Sequence, residues 1–258
     1  MTFSLPTSDR DTVVLLHSLG TDHRLWHDQM AVLGKRFNVL APDSRGHGDT
    51  PSAGVIDMEH WVADLDALIE PHRSVHLVGL SMGGVQAIAY AARHPRKVRS
   101  LVLADTFAAI DPAAAEIKIE GIRETIGAIG MSRYAERYLA ETLTSEVDET
   151  VYRRLCSAIA GVSAEDYLRA SQATFRASLT DELAQISAPT LVVIGDGDQK
   201  TPLALSETLV RGVAGARLSV IPGAGHLANI DAPAAFTEAL LGFIESHAGV
   251  MPAGAIPS

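Results

Sequence analysis

Gly79-Leu80-Ser81-Met82-Gly83 reads G-x-S-x-G. It lies between the apolar run Val75-His76-Leu77-Val78 and the helix-compatible stretch Val85-Gln86-Ala87-Ile88-Ala89-Tyr90-Ala91-Ala92. Strand, sharp turn, helix is the setting in which this pattern forms a nucleophile elbow. Such a turn strains the serine backbone and needs small residues around it, here Gly79, Gly83 and Gly84. The pattern is short and recurs by chance, so its weight comes from that setting. The expectation is a Ser81 hydroxyl held out from the end of a sheet, with a helix N-terminus behind it.

Working outward, apolar β-type runs recur at 12–17, 37–41, 75–79, 101–104, 190–195 and 218–221. They are near-continuously apolar, as strands covered on both faces are. Helical patterns fall at 23–33, 56–69, 83–93, 202–211 and 233–247. This alternation predicts an α/β fold, a mostly parallel sheet with helices on both faces. Residues 107–186 break the rhythm: they hold no good strand and are rich in Ala, Glu, Arg, Ile and Leu at helical spacing. We read residues 1–106 and 187–247 as the core and 107–186 as an inserted helical cap. The Gly-, Pro- and Ala-rich residues 248–258 read as a flexible tail. An insertion at the C-terminal edge of a parallel sheet lies over the place where ligands bind.

The chain has 258 residues, 47% of them hydrophobic and 20% charged, enough for one large α/β domain with a substantial core. The net charge of −10 comes without a dense Lys/Arg stripe, which argues against nucleic acid as a partner. A single cysteine, Cys156, allows no internal disulfide. With no signal-peptide pattern and no long apolar span, the expected location is cytoplasmic, with no membrane partner. The ten histidines show no metal-ligand spacing, so no metal and no cofactor are expected.

A serine hydroxyl needs a base to take its proton and a third group to orient that base. After the run Leu191-Val192-Val193-Ile194 comes Gly195-Asp196-Gly197-Asp198, and after Leu218-Ser219-Val220-Ile221 comes Pro222-Gly223-Ala224-Gly225-His226. Strand ends of a parallel sheet open on one side, so these loops can converge on Ser81. His226 is the candidate base and Asp198 the preferred acid, with Asp196 and Asp105 as rivals. The oxyanion needs backbone donors: Met82 N–H, after the nucleophile, and Leu19 N–H, in the loop after the first buried strand. The side chains of Leu19 and Met82 are expected to line the pocket. His17 reads as a brace for that loop. In Asp43-Ser44-Arg45-Gly46-His47-Gly48, Asp43 and Arg45 read as loop ties and His47 as non-catalytic. Ile117, Ile122, Ile126 and Ile129 either line a pocket or pack the insert. Ile122 and Ile126, with Trp26, are the candidates for touching substrate.

HSLG at 17–20, DSRGHG at 43–48, GLSMGG at 79–84, GDGD at 195–198 and GAGH at 223–226 together resemble the α/β-hydrolase superfamily. Within it, residues 17–22 followed by Trp26, with GAGHLANIDAP at 223–233, are most similar to 3-oxoadipate enol-lactonases. The resemblance assigns the triad to Ser81, Asp198 and His226 and the oxyanion donors to Leu19 and Met82. The chain departs from the pattern in two places. Only about eleven residues precede the first strong strand, where the family has a two-strand hairpin, so a shortened sheet edge is expected. The insert also lacks tryptophan, and its candidate cations for an anionic lactone are Arg123, Arg133, Arg137, Arg153 and Arg154.

The leading expectation is a serine hydrolase of a small carboxylic ester or lactone. Aryl esterase, perhydrolase and carbon–carbon bond hydrolase are alternatives on the same triad, and a ligand-sensing receptor is a further one. Haloalkane dehalogenase and epoxide hydrolase are disfavoured, because they place Asp where this chain has Ser81. A homo-oligomer is compatible with the sequence.

Overall fold

Among residues 10–249, which the computed structural model describes, six strands form one parallel sheet. They are β1 (Thr12–Leu16), β2 (Asn38–Leu40), β3 (Val75–Leu80), β4 (Val98–Ala104), β5 (Thr190–Gly195) and β6 (Arg217–Ile221), in the order β2-β1-β3-β4-β5-β6. The helices are α1 (His27–Leu33), α2 (Met58–Ile69), α3 (Met82–Arg93), α4 (Pro112–Ala140), α5 (Glu149–Gly161), α6 (Ala164–Phe175), α7 (Leu203–Gly212), α8 (Ala228–Asp231) and α9 (Pro233–Ser246).

Side chains alternate across each strand, so apolar runs feed two cores. Val13, Leu15, Val78, Leu80 and Val102 share one face with Leu33 of α1 and Phe236 and Leu240 of α9. Val14, Leu16, Leu77, Leu101 and Leu103 share the other with Leu65 of α2, Ile88 of α3 and Leu209 of α7. The α/β class expected from the alternation is therefore the observed one. Coverage on both faces fails at the two sheet edges. All three residues of β2 are half-buried, and in β6 Leu218 and Val220 remain 39% and 44% exposed.

Some boundaries also differ from the sequence reading. β4 starts at Val98, ahead of the apolar run, because Arg99 and Ser100 find polar partners. Arg99 Nε donates to Ser74 Oγ at 3.2 Å, and Ser100 Oγ lies 2.7 Å from His76 Nδ1. The 23–33 pattern divides into a 3-10 turn, His23–Trp26, and α1. α2 begins at Met58 because the Asp57 carboxylate caps it, accepting from His60 N at 2.9 Å. The short α8 carries too few residues to show a period. The proposed tail falls mostly outside the described residues, as do the first nine residues, where a shortened edge was expected.

Three helices, α4 to α6, connect β4 to β5. Asp111, Asp148 and Ser163 cap their N-termini, and α4 bends at Gly130, whose φ of 73° leaves the helical region. Leu179 N donates to Ala108 O at 2.9 Å, closing the base of the segment.

Register brings the strand ends level. Leu16 pairs with Gly79, Leu80 with Ala104, Ala104 with Val193, and Gly195 with Ile221. After β1 the chain runs outward to β2, and after β3 it runs the other way to β4. The crevice between β1 and β3 is thus the topological switch point, where parallel sheets bind ligands.

Candidate active site

β3 ends at Leu80 and α3 begins at Met82, so Ser81 alone turns the chain, at φ 55° and ψ −115°. A non-glycine residue there carries about 1–3 kcal/mol of strain, which its surroundings must hold. Ser81 N donates to Ala104 O at 2.9 Å, and Ser81 O accepts from Thr106 Oγ1 at 2.7 Å. The helix and strand approach too closely here for side chains. A Cβ on Gly79 would sit 2.2 Å from Gly83 O, and one on Gly83 would sit 2.3 Å from Leu16 O.

The loops after β5 and β6 bring two further groups to this turn. Ser81 Oγ lies 2.9 Å from His226 Nε2, and His226 Nδ1 lies 2.9 Å from Asp198 Oδ2. With Nδ1–H donating to the carboxylate, Nε2 is free to accept the serine proton. Asp198 is fixed in turn by its own loop: its Oδ1 accepts from Lys200 N at 2.8 Å and Thr201 N at 3.0 Å, and its Oδ2 accepts from the Thr201 hydroxyl. Burial alone would raise the Asp198 carboxyl. The His226 hydrogen bond and charge, with the Thr201 donors, overcome this and take it down to about 2.

The two rival carboxylates do other work. Asp196 is exposed and accepts from Gly223 N at 2.8 Å. Asp105 is fully buried at the end of β4, and its Oδ1 accepts from Gly195 N at 2.9 Å. Burial, reinforced by the nearby Asp198 charge, holds its carboxyl well above the usual carboxylate range. Asp231 of α8 ties the histidine loop to the end of the first inserted helix. Its Oδ2 accepts from Gly225 N at 2.8 Å, and its Oδ1 accepts from Thr144 N at 3.1 Å.

Met82 opens α3, so its N–H has no intrahelical acceptor. The Leu19 N–H donates to no acceptor among the described residues, and Leu19 lines the same cavity as Ser81 and His226. His17 braces this loop: Nδ1 donates to Ser18 O at 2.8 Å, and Nε2 accepts from Ser44 N at 2.9 Å. Burial holds His17 below the ordinary imidazole range, and it takes His47, with the neighbouring His17 adding to the effect, to about 3. Arg45 pairs with Asp64 of α2, while Asp43 accepts from His23 N and Asp49 N, so both tie loops.

The cavity measures about 310 Å³. Its walls include Phe107, Ile122, Tyr134, Tyr138, Tyr167 and Phe175, from the segment between β4 and β5. Three expectations for pocket contacts are corrected. Trp26 is fully buried against Phe236, with ring centroids 6.0 Å apart, and does not line the cavity. Ile126 and the Met82 side chain are likewise core residues. Ile122 and Ile117 do reach the cavity. Of the arginines considered, Arg137 lines it, paired with Glu141 at 2.8 Å, whereas Arg123 pairs with Glu120 and Arg153 with Glu149 on exposed helix faces. Sequence reasoning missed Thr201, Lys200 and the three tyrosines. Asp198-x-x-Thr201 was open to reading as a side-chain-to-backbone turn; the tyrosines carried no signal beyond helical spacing.

The family described as "Alpha/beta hydrolase family" matches residues 13–239. The chain is 27% identical to "3-oxoadipate enol-lactonase 1" of Acinetobacter baylyi, over 91% of this chain and 88% of that one. It is 32% identical to "Pimeloyl-[acyl-carrier protein] methyl ester esterase" of Neisseria meningitidis, over 90% and 93% respectively. Among solved structures, the enol-lactonase from Burkholderia xenovorans superposes with a TM-score of 0.84 at 30% identity, covering 92% of each chain. Among the described residues no helix is long and apolar enough to cross a membrane. On the family match, which spans nearly all of the described sheet, this chain belongs to the α/β hydrolase family.

Proposed function

We propose that the protein hydrolyses a small carboxylic ester or lactone through an acyl-enzyme on Ser81. The observation that carries this reading is the unbroken relay from Asp198 through His226 to Ser81, with both links at 2.9 Å, beside a cavity. The strain and free amides around Ser81 add to it, since an elbow of this kind aims both a nucleophile and a helix N-terminus at one point. Relatives named as an enol-lactonase and a methyl ester esterase support the ester class, cyclic or open. The single free Cys156 supports a cytoplasmic setting.

In this mechanism Ser81 Oγ attacks the carbonyl carbon as His226 Nε2 takes its proton. The tetrahedral oxyanion is held by the N–H groups of Leu19 and Met82. Its collapse breaks the ester C–O bond, and His226 returns the proton to the leaving oxygen, which stays tethered in a lactone. Water, deprotonated by the same imidazole, then attacks the acyl-enzyme and frees Ser81. Asp198 stays ionised and steadies the imidazolium. The helical segment 107–186 serves as a cap over this chemistry.

Ser81→Ala decides the matter. Turnover of p-nitrophenyl acetate and of small lactones should fall by about ten-thousand-fold or more, and a fluorophosphonate probe should label only the parent protein. A variant that keeps its rate within tenfold of the parent would overturn the assignment.

A further inference from the structure

The two oxygens of the Asp198 carboxylate are held by different means. Oδ1 accepts from Lys200 N at 2.8 Å and Thr201 N at 3.0 Å, both backbone groups of its own loop. Oδ2 accepts the His226 Nδ1–H at 2.9 Å, and its one other donor among the described residues is the Thr201 hydroxyl. Two amides on Oδ1 fix that oxygen but leave Oδ2 able to swing about it. Oδ2 is the oxygen that orients the imidazole. The aim of the base therefore rests on a side-chain hydroxyl rather than on the backbone.

Burial adds weight to that hydroxyl. The Asp198 side chain is wholly withdrawn from solvent and does not line the cavity, whereas Thr201 does line it. Thr201 thus covers the carboxylate on the cavity side, and its Oγ1 stands 3.4 Å from His226 Nδ1, flanking the Asp198–His226 bond. Away from water, a donor lost to an ionised group is not replaced and costs more. Both Thr201 donors also oppose the effect of burial and help to keep the carboxyl ionised. A threonine three residues after an aspartate commonly does no more than close a turn. Here its proton is spent on the very oxygen that the base uses.

We propose that Thr201 is a positioning residue for the hydrolysis argued above: its hydroxyl holds Asp198 Oδ2 in place, and through it the imidazole that takes the Ser81 proton. Thr201 acts through Asp198 and not on the substrate, although it lines the cavity. This rests on the Ser81 reading, which supplies the reaction.

The test separates the hydroxyl from the wall it belongs to. Thr201→Val keeps the shape and the cover and removes the donor. Thr201→Ser keeps the donor and removes a methyl group. The backbone N–H that reaches Oδ1 survives both. kcat and KM for p-nitrophenyl acetate are measured per active site, counted by fluorophosphonate titration carried to completion, so that unfolded protein does not register. Thr201→Val should lower kcat by about five- to a hundredfold, the range for a misaimed catalytic group, with KM within about threefold of the parent. Thr201→Ser should stay within about threefold of the parent in both constants. A loss of kcat under about fivefold in Thr201→Val overturns the proposal. So does a loss carried by KM alone, which would put the hydroxyl on the substrate. A loss of kcat shared equally by Thr201→Val and Thr201→Ser overturns it too, since that would belong to packing. Failure of the Ser81 reading looks different: the probe would find no site to count in the parent, and turnover would survive Ser81→Ala.

Discussion

The strand-end loops and the helical segment between β4 and β5 wall the same cavity by opposite means. On the sheet side, Ser81, Asp198 and His226 are each held by hydrogen bonds to backbone groups or to one another, most of them buried. On the helical side the cavity meets mostly aromatic rings and aliphatic chains, with Lys118 and the Arg137–Glu141 pair among them, while other helix charges pair on exposed faces, as in Arg153 with Glu149 and Arg169 with Glu165. Exposed pairs of that kind contribute about 0.3–0.5 kcal/mol each. Atoms that must sit within a fraction of an ångström come from the rigid side. The helical wall touches the cavity through side chains that make few directed bonds to the triad, Asp231 being the tie between the two.

The sharpest way to break this contrast is to compare one substitution on each wall. Asp198→Asn keeps the shape but lets the imidazole adopt the wrong tautomer, and kcat should drop about ten-thousand-fold. Ile122→Ala, on the helical wall, should move KM and substrate preference by tenfold at most, since it removes only apolar contact. Comparable losses in kcat would erase the division. Acid stability gives a second, smaller test. His47 is held near 3 by burial, against an ordinary value of 6.5. Above pH 6.5 the imidazole is neutral whether folded or unfolded, and its stabilising contribution is complete. As pH falls towards 3 only the unfolded chain takes the proton, and stability declines. By pH 4.5 the loss from this group should reach about 3 kcal/mol. Urea titrations of the parent and His47→Asn should therefore show a shallower pH slope in the variant; equal slopes would refute it.

Two glycines make the finest comparison. At Gly83 an added Cβ meets the Leu16 carbonyl oxygen at 2.3 Å, and at Gly127 of α4 it meets nothing within 4 Å. Gly83→Ala should destabilise by about 1–3 kcal/mol or more, lowering the urea midpoint. Gly127→Ala should stabilise by about 0.5–1 kcal/mol, because the unfolded chain loses freedom and the helix loses nothing. The same sign at both sites would mean that the elbow is less tightly packed than it looks.

The strand-end side was also the more legible in sequence. Turn chemistry, glycine spacing and apolar runs each constrain the backbone locally, so Ser81, Asp198 and His226 could be named from short motifs. The helical segment offered only periodicity, which marks a buried face without saying what it faces. Ile122 and Ile126 stand one helical turn apart, yet Ile122 reaches the cavity and Ile126 packs into the core. Trp26 misled for the same reason: a large ring near a functional loop is as useful to a core as to a ligand.

Asp231 has a mechanical consequence. One carboxylate grips both the loop that carries His226 and the turn by which the chain leaves α4. In the proposed mechanism a displacement of that turn would pull on the loop that carries the base, so the placement of the helical segment and the aim of Ser81 would be linked.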